Sequence, residues 1–172
     1  MAKVRRFHVG ESRLLAEYLA EQYAGATIAF QPRIGTDPAM VGVTIVDEAE
    51  RRWARNVNRR PDAWAITSEE IVIIEASMQW PTTKIGRLME YLLMVPATPE
   101  LAPYKGRRLV GEILTAIHDP MAELLCKQNG FRYVWREPSW MDEYLAAYPD
   151  RKRRAPHAGL VDALEKAQAA GE

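Results

Sequence analysis

Two carboxylates on neighbouring predicted strands are the residues of this sequence best suited to chemistry. Asp62 follows Pro61 at the start of one strand-like stretch, and Glu75 lies near the end of the next, within RRPDAWAITSEEIVIIEASMQW. Hard oxygen ligands of this kind suit Mg²⁺, which activates bound water and neutralises charge on a phosphate. A metal ion held between Asp62 and Glu75 is therefore the first hypothesis.

Each carboxylate also has a structural interpretation. An Asp after Pro at a strand start commonly bonds to nearby backbone amides, and such an Asp needs no metal. Glu75 closes the apolar run 71–74, and burying its charge without a partner is costly. We therefore expect a cationic partner or a metal beside Glu75, or a raised pKa if neither is present.

Hydrophobic periodicity predicts the elements that position these residues. Helices are predicted for SRLLAEYLAEQYAG, capped by Ser12 and ended by Gly25, for TTKIGRLMEYLLMV and for DPMAELLCKQNG. Strands are predicted for ATIAFQPRIG, DAWAIT, EIVIIEASM, RRLVGEILTAI and FRYVWRE. The stretch EAERRWARNVNRR is a further helical turn before DAWAIT.

The order of these elements predicts the fold class. DAWAIT and EIVIIEASM form a hairpin around the polar turn SEE, and the almost continuously apolar second run should be a central strand buried on both faces. The order helix, three strands, helix, strand, helix, strand joins a hairpin to crossover helices. This order predicts an α/β fold with a mixed, partly antiparallel sheet.

The length of 172 residues suits one domain with a tail. We assign residues 1–136 to the core and residues 137–172 to a C-terminal extension, with a linker at 149–156 and a short terminal helix that needs a partner surface. Trp140, Tyr144 and Tyr148 in the extension are candidate anchors of a protein interface. Packing of the extension onto its own domain explains the same aromatic residues.

The balance of charges limits how the protein could bind nucleic acid. The 23 basic and 23 acidic residues cancel, so no overall field drives nonspecific nucleic-acid binding. Local binding remains open through the arginines of RRWARNVNRR, which are also explained as solvated surface residues. The candidate DNA-binding residues are Arg51, Arg52, Arg55, Arg59 and Arg60.

Other features predict an intracellular protein. No apolar run could span a bilayer and the first residues lack signal-peptide features, so we expect no membrane partner. Cys126 is the only cysteine, which excludes an internal disulfide and a cysteine-based zinc site. His8, His118 and His157 have no metal-ligand spacing.

The element order, Pro61-Asp62 and Glu75 together resemble the PD-(D/E)XK nuclease superfamily over roughly residues 12–136. The resemblance implies a restriction-endonuclease-like core in which Asp62, Glu75 and the carbonyl of Ala76 bind Mg²⁺. It also implies a glutamate from the first helix in the site, for which Glu17 and Glu21 are candidates. In particular, the chain resembles small nuclease-like proteins of tailed bacteriophages.

Two positions depart from the pattern that the superfamily implies. Ser77 stands where the motif has lysine, and Arg87 stands where many relatives have a glutamine four residues before Tyr91. Lys84, at the start of the same predicted helix, could replace the missing lysine, as in some members of the superfamily. An exposed or phosphate-facing lysine is the alternative interpretation.

Three hypotheses follow. The favoured one is a catalytically degenerate module that acts in binding or assembly, for example as a head-to-tail connector or another minor structural protein of a phage virion. Its partners would be other protein subunits, and it would be cytoplasmic during assembly and then part of the virion. The alternatives are an active nuclease that uses Asp62, Glu75, Lys84 and Mg²⁺, and a DNA-binding protein without catalysis.

Overall fold

The structure of the protein is a computed structural model that describes residues 8–35, 60–148 and 166. Its helices in this part of the chain are α1 (His8–Gln22), α2 (Thr82–Met94), α3 (Pro120–Gln128) and α4 (Met141–Ala147), with 3-10 helices at Val95–Ala97 and Pro99–Tyr104. Its strands are β1 (Thr27–Phe30), β2 (Ala63–Ile66), β3 (Glu70–Ser77), β4 (Arg108–Thr115) and β5 (Arg132–Trp135).

The five strands form one mixed sheet in the order β1-β2-β3-β4-β5. The first three pair antiparallel, whereas β4 pairs parallel to β3 and β5 pairs parallel to β4. A parallel pair needs a crossover connection, and α2 and α3 supply these connections. The α/β class and the mixed sheet predicted from the sequence are therefore confirmed.

The central strand β3 divides the interior into two cores because successive side chains point to opposite faces of the sheet. Val72 and Ile74 pack with α1 and α4 on one face. Ile71 and Ile73 pack with α2 and α3 on the other face. All residues of β3 after Glu70 are buried, as the continuous apolar run predicted.

The predicted boundaries of α2, α3 and β2 to β5 agree closely with the structure. The predicted strand 26–35 is too long, since β1 ends at Phe30, and α4 was not predicted. The start of α1 also differs. Ser12 was predicted as the N-terminal cap, but the helix begins at His8, so Ser12 lies inside it. Gly25 has a φ of 86°, a conformation that glycine adopts without strain, and it follows the end of α1 as predicted. The predicted helical turn between β1 and β2 lies outside the described residues.

The beginning of the predicted C-terminal extension packs onto the core. Trp140 and Met141 are buried against α1, and Tyr144 and Leu145 of α4 pack against the same cluster. The predicted linker lies outside the described residues, and of the terminal helix only Lys166 is described, in helical conformation. No helix in residues 8–35 and 60–148 is long and apolar enough to cross a membrane.

A buried network of charges and hydroxyls fastens α1 and β5 to the sheet. Glu112 of β4 is fully buried, and its Oε2 accepts a hydrogen bond from the Tyr23 hydroxyl at 2.7 Å and from Arg132 Nη1 at 3.0 Å. Arg132 Nη2 also bonds to Glu70 at 3.1 Å. Because an unpaired buried charge is costly, these partners are needed to keep Glu112 in the interior.

We expect Tyr23→Phe to lower the free energy of unfolding by about 1–2 kcal/mol, because it removes a hydrogen bond to a buried carboxylate and leaves the ring in place. Urea denaturation measures this loss. Tyr104→Phe is the matched control, since the Tyr104 ring packs under the guanidinium of Arg107, away from Glu112. Equal stability of the two variants would contradict the importance of the Glu112 network.

Candidate active site

The β2–β3 hairpin brings the two predicted carboxylates together. Ala63 pairs with Ile74 in the antiparallel register, so Asp62 and Glu75 are the next residues at the same end of the hairpin. By alternation along β3, Glu75 faces the side of the sheet that α2 covers. The sequence therefore predicted the placement of both residues correctly.

Lys84, in the first turn of α2, lies between these two carboxylates. Its Nζ is 3.1 Å from Asp62 Oδ2 and 2.9 Å from Glu75 Oε2. The lysine thus points into the site, whereas the alternative interpretation placed it at the surface. Glu75 has the cationic partner that its burial required, and its side chain is only 1% exposed.

Asp62 combines a structural and a charged contact. Its Oδ2 accepts a hydrogen bond from the backbone amide of Ala76 at 2.9 Å and another from Lys84 Nζ. The structural interpretation of an Asp after Pro is therefore partly correct, because the carboxylate does bond to a backbone amide. Its contact with Lys84 shows that the same oxygen also belongs to the charged cluster.

The electrostatics of the cluster keep Lys84 charged and make Glu75 readily protonated. Burial raises the pKa of Glu75 to about 7, the charge of Asp62 raises it as well, and the ammonium of Lys84 opposes both. Burial lowers the pKa of Lys84, but the negative charges of Glu75 and Asp62 raise it by more, so it lies above its ordinary value. Lys84 is consequently a cationic donor near neutral pH.

The two positions that depart from the family pattern lie next to this cluster. Ser77 is buried, and its Oγ accepts hydrogen bonds from the backbone amides of Gln79 and Trp80 at 3.3 and 2.9 Å. Ser77 therefore stabilises the turn from β3 to α2, which starts the helix that carries Lys84. The positive charge of Arg87 lowers the pKa of Glu75.

Tyr91, the position of the pattern that the chain retains, also borders the site. Its ring is buried, and its hydroxyl donates to the carbonyl of Arg60 at 3.2 Å. Burial raises the pKa of Tyr91, and the charge of Glu75 raises it further. Tyr91 thus ties the segment that precedes Asp62 to the helix that carries Lys84.

Glu11 is the glutamate of α1 that approaches the site, and sequence reasoning missed it. It lines a cavity of about 140 Å³ together with Asp62 and Ala76, and its Oε1 accepts a hydrogen bond from the Met78 amide at 3.4 Å. Its charge also contributes to the raised pKa of Lys84. The sequence pattern of α1 could have indicated this position, because Glu11 lies four residues before the buried Leu15 and therefore on the same face of the helix.

The expectation that Glu17 or Glu21 joins the site needs correction. The carboxylate of Glu17 accepts hydrogen bonds from the Trp140 indole at 2.9 and 3.0 Å, and this contact lowers its pKa. Glu21 forms a bidentate pair with Arg136, at 2.5 and 2.7 Å. Both carboxylates therefore hold the C-terminal part of the described chain onto α1.

Among the candidate interface residues, Trp140 needs a similar correction, whereas the role of Tyr144 and Tyr148 stays a prediction. Trp140 is buried, donates its indole N–H to Glu17 and stacks under the guanidinium of Arg13 at 4.7 Å, so it is a packing residue. Tyr144 lies half-buried between the rings of Trp140 and Tyr148, at 6.3 and 4.9 Å. The packing alternative therefore describes Trp140 better than the interface hypothesis does.

The candidate DNA-binding arginines are described only at Arg60, which is exposed just before Pro61. The other four candidates, Arg51, Arg52, Arg55 and Arg59, lie outside the described residues. The hydrogen bond from Tyr91 to the Arg60 carbonyl fixes the backbone of this arginine beside the site.

Asp62 and Glu75 offer carboxylate oxygens, the type of ligand that Mg²⁺ prefers, but the ammonium of Lys84 lies between them. No group of three His, Cys, Asp or Glu side chains within residues 8–35 and 60–148 has the spacing of a metal site. Mg²⁺ does not require three, since it is commonly bound by one or two carboxylates and keeps several waters. Glu75 Oε2 is buried and accepts no well-directed hydrogen bond from the described residues, although the ammonium lies near.

Comparison with known proteins supplies no family for this chain. No protein-family model matches it, and no curated protein matches it.

We expect Lys84→Met to lower the free energy of unfolding by about 3 kcal/mol at pH 8 in EDTA, because it leaves buried Glu75 without its cation. The pKa of Glu75 should rise further above about 7. When a carboxyl group has a higher pKa in the folded than in the unfolded protein, the protein becomes less stable as the pH rises from the unfolded to the folded pKa. The stability deficit of Lys84→Met should therefore be smaller at pH 5 than at pH 8.

Urea denaturation at the two pH values measures the deficit, and carboxyl NMR titration measures the pKa. Lys127→Met is the control, since Lys127 is an exposed lysine near the end of α3. A deficit that is equal at pH 5 and pH 8 would contradict the assignment of Lys84 as the counter-charge of Glu75.

Proposed function

We propose that this chain is a metal-dependent nuclease of the PD-(D/E)XK type in which Lys84 replaces the lysine missing at Ser77. The observation that carries the proposal is the position of Lys84 Nζ, within 3.1 Å of Asp62 and 2.9 Å of Glu75. From the sequence, the degenerate module was favoured. This contact favours the active enzyme, because a lysine that pointed to solvent would have left the site without its cationic donor.

The order of the helices and strands also supports the proposal. A helix, an antiparallel three-strand unit, a crossover helix and a parallel strand follow one another in the described chain, in the order that the resemblance implies. Within this order, Asp62 lies at the start of β2 and Glu75 near the end of β3, which is where the motif requires them. The retained Tyr91 lies beside the same cluster.

Asp62, Glu75 and the carbonyl of Ala76 would hold Mg²⁺, which when bound supplies an activated water and neutralises charge on the phosphate. Glu75 must be ionised to act as a ligand, and its pKa of about 7 makes this ionisation easy at slightly alkaline pH. Asp62 is fixed in position by the Ala76 amide, so its carboxylate is oriented before any ligand binds.

Lys84 contributes charge and hydrogen bonds but does not act as a base. Because its pKa is raised, the ammonium keeps its proton at neutral pH and donates to oxygen atoms. In the proposed reaction it orients the attacking water or stabilises the developing charge on the phosphate. To do so, Nζ must exchange one of its two carboxylate contacts for the substrate.

A degenerate module that acts in binding or assembly is the second candidate. The same ammonium favours it, since a lysine between two carboxylates neutralises them without a metal. In this case the charge cluster only stabilises the fold, and the protein serves as a connector or minor structural protein that binds other subunits. Cytoplasmic assembly and a place in a phage virion belong to this candidate.

The test is incubation of the purified full chain with linear and circular DNA in Mg²⁺ or Mn²⁺. We expect cleavage by the parent protein, and a loss of roughly 100-fold or more in Glu75→Gln and Lys84→Ala, which remove a ligand and the cationic donor. Lys127→Ala should cleave like the parent protein, since Lys127 is exposed in the last turn of α3 and is not part of the charged cluster.

Calorimetric titration with Mn²⁺ separates binding from chemistry. Glu75→Gln should weaken binding of the ion, whereas Lys84→Ala should bind it at least as well as the parent protein, since the competing ammonium is gone. Absence of cleavage with either metal, together with absence of Mn²⁺ binding, would overturn the nuclease proposal and leave the degenerate module.

A further inference from the structure

The cavity beside Asp62 has a lining that the proposed metal site does not use. Apart from the acidic residues and Ala76, it is lined by Ser12 and Leu15 of α1 and by Phe30 and Gln31 at the end of β1. The cavity is thus lined by an aromatic residue, an aliphatic residue, a hydroxyl-bearing residue and an amide-bearing residue. Such a combination suits a flat ligand that has apolar faces and polar edges.

The size of the cavity limits what can enter it. Its volume of about 140 Å³ is well below the roughly 300–1,000 Å³ of pockets that hold drug-sized ligands. It has room for one planar ring system, and a complete nucleotide would extend out of it toward Asp62.

Phe30 and Gln31 lie at the end of the edge strand β1, beside the cavity. Phe30 is 57% exposed, so its ring is accessible to a ligand. Gln31 has a φ of 45°, in the left-handed region that residues with side chains rarely adopt, and its amide donates to the Asp62 carbonyl at 3.0 Å. Strained backbone of this kind persists where the surroundings fix it, and it is frequent at functional sites.

The charge of the cavity selects the part of a nucleic acid that can occupy it. Glu11 and Asp62 bring carboxylates to the lining, and they repel a phosphate that enters without a metal. The same carboxylates accept hydrogen bonds from exocyclic amino groups, and the amide of Gln31 suits the edge of an adenine. The lining therefore favours a neutral base that carries an amino group.

We propose that this cavity binds an unpaired adenine or cytosine of single-stranded DNA, stacked on Phe30 and hydrogen-bonded by Gln31 and Glu11. A base inside a duplex cannot reach the cavity without leaving the stack. The inference rests on the proposed function in one respect, since it makes single-stranded or frayed DNA the substrate class of the proposed nuclease site. Asp62 lies at the junction of the cavity and the site and would set the distance from the bound base to the cut.

The test measures binding in EDTA, so that no cleavage takes place. Fluorescence anisotropy gives the affinity of the full chain for short oligo(dA), oligo(dC), oligo(dT) and a duplex of mixed sequence. We expect oligo(dA) and oligo(dC) to bind more tightly than oligo(dT), which lacks the amino group, and more tightly than the duplex. Phe30→Ala and Phe30→Leu should each weaken binding of oligo(dA) by about tenfold, because both lose the stacking ring.

Trp135→Ala is the matched control. Trp135 is an equally exposed aromatic residue, 54% exposed, but it lies on β5 at the opposite edge of the sheet. This variant should bind oligo(dA) like the parent protein. A loss equal to that of Phe30→Ala, no loss in either Phe30 variant, or equal affinity for oligo(dT) and oligo(dA) would each overturn the base-binding site.

The two proposals can fail separately. Binding of oligo(dA) that depends on Phe30, without cleavage in Mg²⁺ or Mn²⁺, would support the base-binding site and overturn the nuclease. Cleavage that needs Glu75 and Lys84, at an unchanged rate on single strands in Phe30→Ala, would support the nuclease and overturn the base-binding site.

Discussion

The buried negative charge at the end of the central strand is the constraint on which the site depends. Glu75 follows a run of apolar residues into the interior, and Asp62 adds a second carboxylate beside it. Glu75 is almost fully buried, so its charge needs compensation, whereas the side chain of Asp62 is 27% exposed. Lys84 supplies that compensation, and the buried turn at Ser77 directs α2 so that the ammonium meets both carboxylates.

The same principle operates on the other face of the sheet with different chemistry. Glu112 is buried, and the hydroxyl of Tyr23, just after α1, and the guanidinium of Arg132 on β5 compensate its charge. An arginine cannot be deprotonated at ordinary pH and its contacts here are directional, so this network serves as a fixed fastening. The ammonium of Lys84 is a compact charge on a flexible stem, which allows it to exchange partners during a reaction.

Sequence patterns predicted α2 and β3 well, because α2 has a regular amphipathic spacing of apolar residues and β3 is a continuous apolar run. They also predicted that Asp62 and Glu75 lie at the same end of a hairpin, since the pairing of a hairpin follows from its short turn. They could not decide whether Lys84 points to solvent, because that depends on how α2 rotates against β3. Glu11 was missed because Ser12 was taken as the helix cap, and the burial of Trp140 depends on contacts with α1 that are remote in sequence.

The residues of the candidate site lie close together in the sequence, which lowers the entropic cost of bringing them together. Asp62 and Lys84 are 22 positions apart, whereas Tyr23 and Arg132 are 109 positions apart. Closing the longer loop costs roughly 1.4 kcal/mol more in conformational entropy, if both behave as flexible chains. The charged cluster is thus encoded by one short, continuous stretch of chain, and its closure depends little on whether the two ends of the domain have already met.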